Sequence, residues 1–218
     1  MINGRDLAIA ISTGVLAFAL PMGAASGPAR TSGYFPLEFR KPSILCPIFT
    51  RRPIMTSHED EWYSGTLSAA AEPSLYAYSR QRHPSGVRAY RLIILPSFDK
   101  PVIVRLNRRA SGEIDLIAKR LSGAGGYDPG QLEKAGVVRR TLTPNEARQF
   151  QAMLARAGKL NRRPVTCTMG LDGSEWILES ADGGTYRYVN RWSPERGDER
   201  ALGEFMLGLA GWRPPRGY

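Results

Sequence analysis

Two cysteines and two histidines among 218 residues leave little material for thiol or imidazole chemistry. His58 and His83 are far apart and form no H-E-x-x-H, so the one-face histidine pair of a zinc protease is absent. No G-x-S-x-G elbow is present to carry a serine nucleophile. The loop Gly123–Gly130, GAGGYDPG, lacks the Lys-Ser/Thr of a P-loop, and the last glycine of G-x-G-x-x-G would fall on Asp128. Beyond the first two dozen residues no stretch is long and apolar enough to span a bilayer. The chain also lacks a long basic run: its arginines come as scattered doublets, Arg51-Arg52, Arg108-Arg109, Arg139-Arg140 and Arg162-Arg163, with few aromatics between them. That distribution argues against specific nucleic-acid binding, although the formal charge is +10.

The N-terminus supplies the firmest positive signal. A short segment containing Arg5 precedes the uncharged run LAIAISTGVLAFAL from Leu7 to Leu20, then Pro21, then small residues around Ala25. This layout predicts a secretory signal peptide over 1–25, cleaved between Ala25 and Ser26. The alternative, an uncleaved anchor, would need an apolar span running through Pro21. Export places the product in the periplasm or outside the cell. Cys46 and Cys167 then read most simply as one disulfide, the alternative being two separate buried thiols.

Residues 26–61 are rich in proline and glycine and predict an extended arm that docks some apolar side chains on a domain over 62–212; 213–218 reads as a disordered tail. Within the domain, Val87–Leu95, Pro101–Arg105 and Glu113–Leu121 are separated by short turns and predict an antiparallel meander. A short strand is expected over Gly136–Leu142. Thr143-Pro144-Asn145-Glu146 is a capping box with proline at the first helical position, opening an amphipathic helix that ends at Gly158. Strands over Val165–Met169, Ser174–Ser180 and Thr185–Trp192 follow. A last helix over Asp198–Leu209 carries Leu202, Phe205, Met206 and Leu209 on one stripe. The fold class expected is α+β, with mainly antiparallel sheet and two amphipathic helices in one domain.

A three-residue loop at 182–184 would set Glu175 opposite Arg191 and Glu179 opposite Arg187, two complementary charge pairs. It would make a wet Glu/Arg face, with Trp176, Leu178, Tyr186 and Tyr188 on a buried one. Trp192, at the strand end, is then the aromatic expected to be partly exposed, and Trp192, Arg187 and Arg191 are the candidate binding surface.

No catalytic, metal-binding or cofactor-binding set emerges. His58-Glu59-Asp60-Glu61 is the densest group of ligand-type side chains and reads as a solvated acidic segment. Ser97-Phe98-Asp99-Lys100 matches S-x-x-K, but in a turn rather than at a helix start. The segment Leu171–Pro194, LDGSEWILESADGGTYRYVNRWSP, with RLIILPSF and the T-P-N-E helix before it, resembles uncharacterised exported proteins of proteobacteria, over roughly Trp62–Trp212. That resemblance implies export and one compact domain, and it lends no activity or site residues.

The function expected is that of an exported, non-catalytic binding protein of the cell envelope: an inhibitor, immunity-type or accessory module. Its partner would be an envelope protein or an anionic polymer drawn by the +10 charge. A rival is an envelope-polymer hydrolase whose carboxylates, among Glu59, Asp60, Glu61, Asp115 and Asp128, converge only in the fold.

Overall fold

A computed structural model describes residues 33–47, 50–168 and 170–214. The expected signal peptide and its cleavage site at Ala25 and Ser26, and all but the first two residues of the expected tail, lie outside the described residues. The centre of the fold is strand β3, Arg88–Pro96, in which every residue after Arg88 is buried. A strand reading RAYRLIILP cannot offer one face to water, and here both faces are covered. It is flanked by β4 (Val102–Arg108), β5 (Ile114–Leu121) and β6 (Leu132–Thr141) on one side, and by β7 (Ser174–Asp182) and β8 (Thr185–Trp192) on the other. The order is β6-β5-β4-β3-β7-β8, antiparallel throughout. The meander has four strands where three and a short fourth were expected, because β6 runs ten residues. Val165 makes only an isolated bridge to Asn190 in place of the strand expected over 165–169, whose last residue is not described.

Even-numbered positions of β3, such as Leu92 and Ile94, pack with Trp176, Leu178 and Val189 against two helices, α3 (Pro144–Arg156) and α4 (Asp198–Leu209). Thr143 caps α3 as the capping box predicts, accepting from the Glu146 amide while Glu146 accepts from the Thr143 amide. Odd-numbered positions, Ile93 and Leu95, pack with Ile177 and Tyr188 against the other side. That side holds two further helices, α1 (Ser57–Ala69) and α2 (Leu75–Ser79). The fold is therefore α+β with mainly antiparallel sheet, and the described residues form four α-helices where two were expected.

The N-terminal region differs most from expectation. Residues 33–56 are not a loose arm: β1 (Pro42–Leu45) pairs with β2 (Arg51–Pro53), and Phe35 and Met55 enter the core. The stretch Thr56–Glu61 is the start of α1, opened by a second capping box, Thr56 with Glu59. Cys46, just past β1, is bonded to Cys167, 121 residues on, which fastens this region to the segment before β7.

The β7–β8 register also differs. Asp182 faces Thr185 across a two-residue turn, and Glu175 faces Trp192, Ile177 faces Asn190 and Glu179 faces Tyr188. Gly183 and Gly184 sit at φ of +54° and +86°, the positive values a type I′ turn requires, and that turn matches the twist of a hairpin. A slip of one residue changes the face of every side chain on β8 relative to β7. Trp176 and Leu178 consequently face α3 and α4, whereas Tyr188 and both glutamates face α1 and α2.

Candidate functional site

One end of the sheet opens into a cleft of about 450 Å³. Its components come from six separate places: Arg52 of β2, the first turns of α1, Ser97 after β3, the Gly126-Tyr127 loop, residues 165–168 and 170–171, and the ends of β7 and β8. Several features that have no role when taken singly meet here: the acidic segment, the S-x-x-K serine, the glycine loop and Trp192.

The walls are aromatic. Trp62 projects from α1 and donates its indole N–H to the Gly125 carbonyl at 2.5 Å. Trp192 lies against Gly170 and Gly173, where any Cβ would run into its indole. Both glycines are thus needed for the ring to lie flat on that segment. Cys167 sits between the lining residues Thr166 and Thr168, so the disulfide pins the segment carrying this wall. Arg163 adds a 2.6 Å bond to the Leu45 carbonyl across the same seam.

The floor is Glu175, 8% exposed, with Asn190 and Tyr63 beside it. Burial pushes the Glu175 carboxyl up to about 7; the neighbouring Glu59 charge adds to this, while Asn190, Tyr63 and Arg52 act against it. Burial likewise raises the Tyr63 and Tyr188 hydroxyls well above the usual phenol value. Asn190 donates to the Tyr63 hydroxyl at 3.3 Å. The Asn190 Oδ1 and the Tyr188 hydroxyl are buried with no hydrogen-bond partner among the described residues. Glu59 accepts from the Thr56 amide at 2.6 Å and faces Arg52 at 3.5 Å. Arg52 also donates to the Thr166 carbonyl at 3.1 Å.

Around the mouth the surface is apolar. Leu171 is 97% exposed and Tyr127 73%, and Phe98, 58% exposed, meets the Tyr127 ring at 5.9 Å between centroids. Among the described residues, exposed large apolar side chains number five; two of them, Tyr127 and Leu171, line this cleft, a third, Phe98, packs on Tyr127, and a fourth, Leu45, sits beside the disulfide. Scattered exposed leucines need no explanation; a cluster around a cavity does.

The expected site residues divide. Trp192 lines the cleft. Arg191 lies on the opposite face of the sheet, pairing with Glu199 of α4 at 2.9 Å and donating to the Arg163 carbonyl. Arg187, opposite Ser180, shares that other face. The three do not form one surface, a direct consequence of the register. Glu175 and Glu179 are not a salt-bridged wet face either: both are buried. The side chains of His58-Glu59-Asp60-Glu61 go separate ways. His58 stacks on Trp62, Glu59 caps α1, Asp60 is held by Arg40 and Ser64, and Glu61 is exposed. Of the five carboxylates considered for hydrolysis only Glu59 lines the cleft; Asp115 pairs with Arg109, and Asp128 accepts from the Gly130 amide. The Ser97 hydroxyl is bonded both ways to the Gly173 backbone, and Lys100 pairs with Glu133 instead of reaching it.

Glu175 itself is the residue that sequence reasoning passes over. The available signal is its neighbour in the sheet: the second half of β3, residues 92–95, is apolar on both faces, so a glutamate beside it on the adjacent strand is buried on either one. The chain matches no protein-family model, and no curated protein matches its sequence.

Proposed function

We propose that this chain is an exported, non-catalytic binding protein of the cell envelope, and that it holds its protein partner at the cleft between α1 and the β7–β8 end of the sheet. The observation that carries this reading is the exposed apolar rim of Leu171 and Tyr127, with Phe98 packed on Tyr127, beside an aromatic-walled cavity. Interfaces concentrate affinity in aromatic anchors and buried pockets surrounded by a water-excluding rim. Export rests on the N-terminal leader, with which the disulfide is compatible. The cleft does not suit a polyanion, because its one arginine is engaged by Glu59 and the Thr166 carbonyl. The test is a crosslinking pull-down of the tagged mature chain from the native envelope at low and high salt. One stoichiometric protein surviving high salt, and lost with Leu171→Asp or Tyr127→Asp, supports the reading. Recovery of salt-labile polymer alone, or of a protein indifferent to both substitutions, overturns it.

A second reading, an envelope-polymer hydrolase, has one observation in its favour. A carboxyl titrating near neutrality beside a second carboxylate is the division of labour used by two-carboxylate hydrolases. Against it, Glu59 is committed to the helix cap and to Arg52. Turnover of envelope glycan that Glu175→Gln abolishes would establish this reading in place of the first.

A further inference from the structure

We propose that the floor of the cleft receives a cationic side chain, an arginine guanidinium or a lysine ammonium, presented by the protein partner; the proposal rests on the binding reading above. The donors at the floor are neutral, the Tyr63 and Tyr188 hydroxyls and the Asn190 amide, and no cation among the described residues pairs with its acceptors. Glu175 and Asn190 are both more than nine-tenths buried, at 8% and 7% exposure, and both line the cavity. Glu175 forms no ion pair among the described residues. The Asn190 Oδ1 meets no donor, since the amide nitrogen of that side chain is the part that reaches Tyr63. The cation already in the cleft, Arg52, cannot fill the gap because its own hydrogens go to Glu59 and to backbone carbonyls. Buried acceptors left in this state are costly, and a ligand bringing several hydrogens on a positive charge relieves the cost most fully.

The walls select the same chemistry. Trp62 and Trp192 border the cavity, and indole faces attract ammonium and guanidinium groups more strongly than other aromatics do. A free amine would be discouraged by the +10 charge of the chain as a whole. A cation fixed on a partner is different: contacts with Leu171, Tyr127 and Phe98 supply the association, and the side chain is delivered into the cleft.

The test uses the mature protein and two tripeptides of the same shape, N-acetyl-Gly-Arg-Gly-amide and its neutral citrulline isostere, followed by tryptophan fluorescence and NMR shifts. The arginine peptide should bind about tenfold more tightly or better, since a charged hydrogen-bonded pair outweighs a neutral one by about 1.4 kcal/mol or more. Groups facing Glu175 are Tyr63 and Glu59 of α1, Arg52 of β2, and Tyr188 and Asn190 of β8. The Glu175 carboxyl, pushed up to about 7, changes charge between about pH 6 and about pH 8. Affinity for the arginine peptide should therefore fall about tenfold over that interval as pH drops, while citrulline binding stays flat. Glu175→Gln should remove both the preference and the pH dependence while the protein stays folded.

Equal binding of the two peptides, arginine binding unchanged by Glu175→Gln, or no binding of either at tens of millimolar overturns the cationic floor. So does preferential binding of N-acetylchitotriose, which would assign the cleft to neutral glycan. The pull-down with Leu171→Asp and Tyr127→Asp reads the rim alone, so the binding reading can survive the loss of this one, and its own failure is separately visible.

Discussion

Glu175 and Glu179 stand four residues apart on the same strand and the same face of the sheet, both buried, and the fold treats them oppositely. Glu179 receives the Arg91 guanidinium at 2.7 Å and the Tyr186 hydroxyl at 2.7 Å. Arg91, fully buried, also faces Glu72 at 3.7 Å and donates to the Pro73 carbonyl. Arg105 at 2.8 Å and Lys119 at 2.7 Å converge on the same Glu72. Burial works against the Arg91 charge, yet the two carboxylates more than offset it and its pKa is raised. A buried carboxylate must meet either a cation or a proton. At Glu179 the chain supplies the cation; at Glu175 it supplies neither cation nor full hydrogen bonding, and a proton is taken up near neutrality. The closed end of the strand holds α1 and α2 to the sheet. The open end is left for something from outside.

The largest effect should come from breaking the closed end. Arg91→Met strands Glu179 in the interior, while Glu72 keeps Arg105 and Lys119, and should cost about 3–5 kcal/mol, the loss typical of removing one member of a buried charge network. Urea unfolding measures it; a loss under about 1 kcal/mol would mean the network is not what secures this face.

Next in size is the clamp beside the open end. Replacing Cys46 and Cys167 together by serine should cost about 2–4 kcal/mol. The comparison predicts where the loosening falls. Tryptophan fluorescence from Trp62 and Trp192 should change, whereas hydrogen-exchange protection of β3 around Arg91 should be kept. A uniform loss of protection would deny the two ends their independence.

Glu175→Gln should act in the reverse direction. The Glu175 pKa is raised on folding, so the carboxyl's contribution is fully present below the unfolded value of 4.5 and is lost as pH rises through about 7. At roughly 1.4 kcal/mol per unit the whole interval amounts to about 3 kcal/mol. Above pH 7 the glutamine protein should thus be the more stable by up to about 3 kcal/mol, with a flatter slope between about pH 5 and about pH 8. Asp115 and Glu146, whose carboxyls Arg109 and Arg140 hold low, give the opposite slope, but only on the acid side of that interval. A residue whose isosteric replacement stabilises the fold and abolishes binding marks a site kept at the expense of stability. Unchanged stability at about pH 8 would show that Glu175 is hydrated and not the open end at all.

Much of this architecture was legible in the residues. The helices at Pro144 and Asp198, the meander and the antiparallel α+β class follow from periodicity, caps and turn glycines, and the disulfide from a single cysteine pair behind an export leader. What was missed has identifiable causes. Helix α1 carries the same Thr-x-x-Glu box as α3, but Ser64, Gly65, Thr66 and Ser68 blur its apolar stripe, and the prolines before it suggest a loose arm. The β7–β8 register was misread because complementary charges were weighed above the turn. Exposed cross-strand pairs contribute only tenths of a kcal/mol, whereas the turn geometry and two buried faces decide far more. The cleft was not legible, since its six segments span Arg52 to Trp192 and only the register brings Glu175 under Trp192.

That register supplies the smallest prediction. Nothing lies within 4 Å of a Cβ added at Gly183 or Gly184, so a side chain there is opposed by backbone conformation alone. With φ at +86°, Gly184→Ala should cost about 1 kcal/mol, while Gly183→Asn, whose side chain tolerates the left-handed region at φ +54°, should be near neutral. The pH dependence of stability then reads the register directly. If the two-residue turn holds, Gly184→Ala lowers stability equally at about pH 5 and about pH 8, because Glu175 stays buried opposite Trp192. If the hairpin escapes into a three-residue loop, Glu175 comes opposite Arg191, its carboxyl ionises normally, and the slope assigned to the open end disappears. The ion-paired and unpaired ends of β7 are in this sense both products of one pair of glycines, and a single alanine tests whether that pair alone keeps them apart.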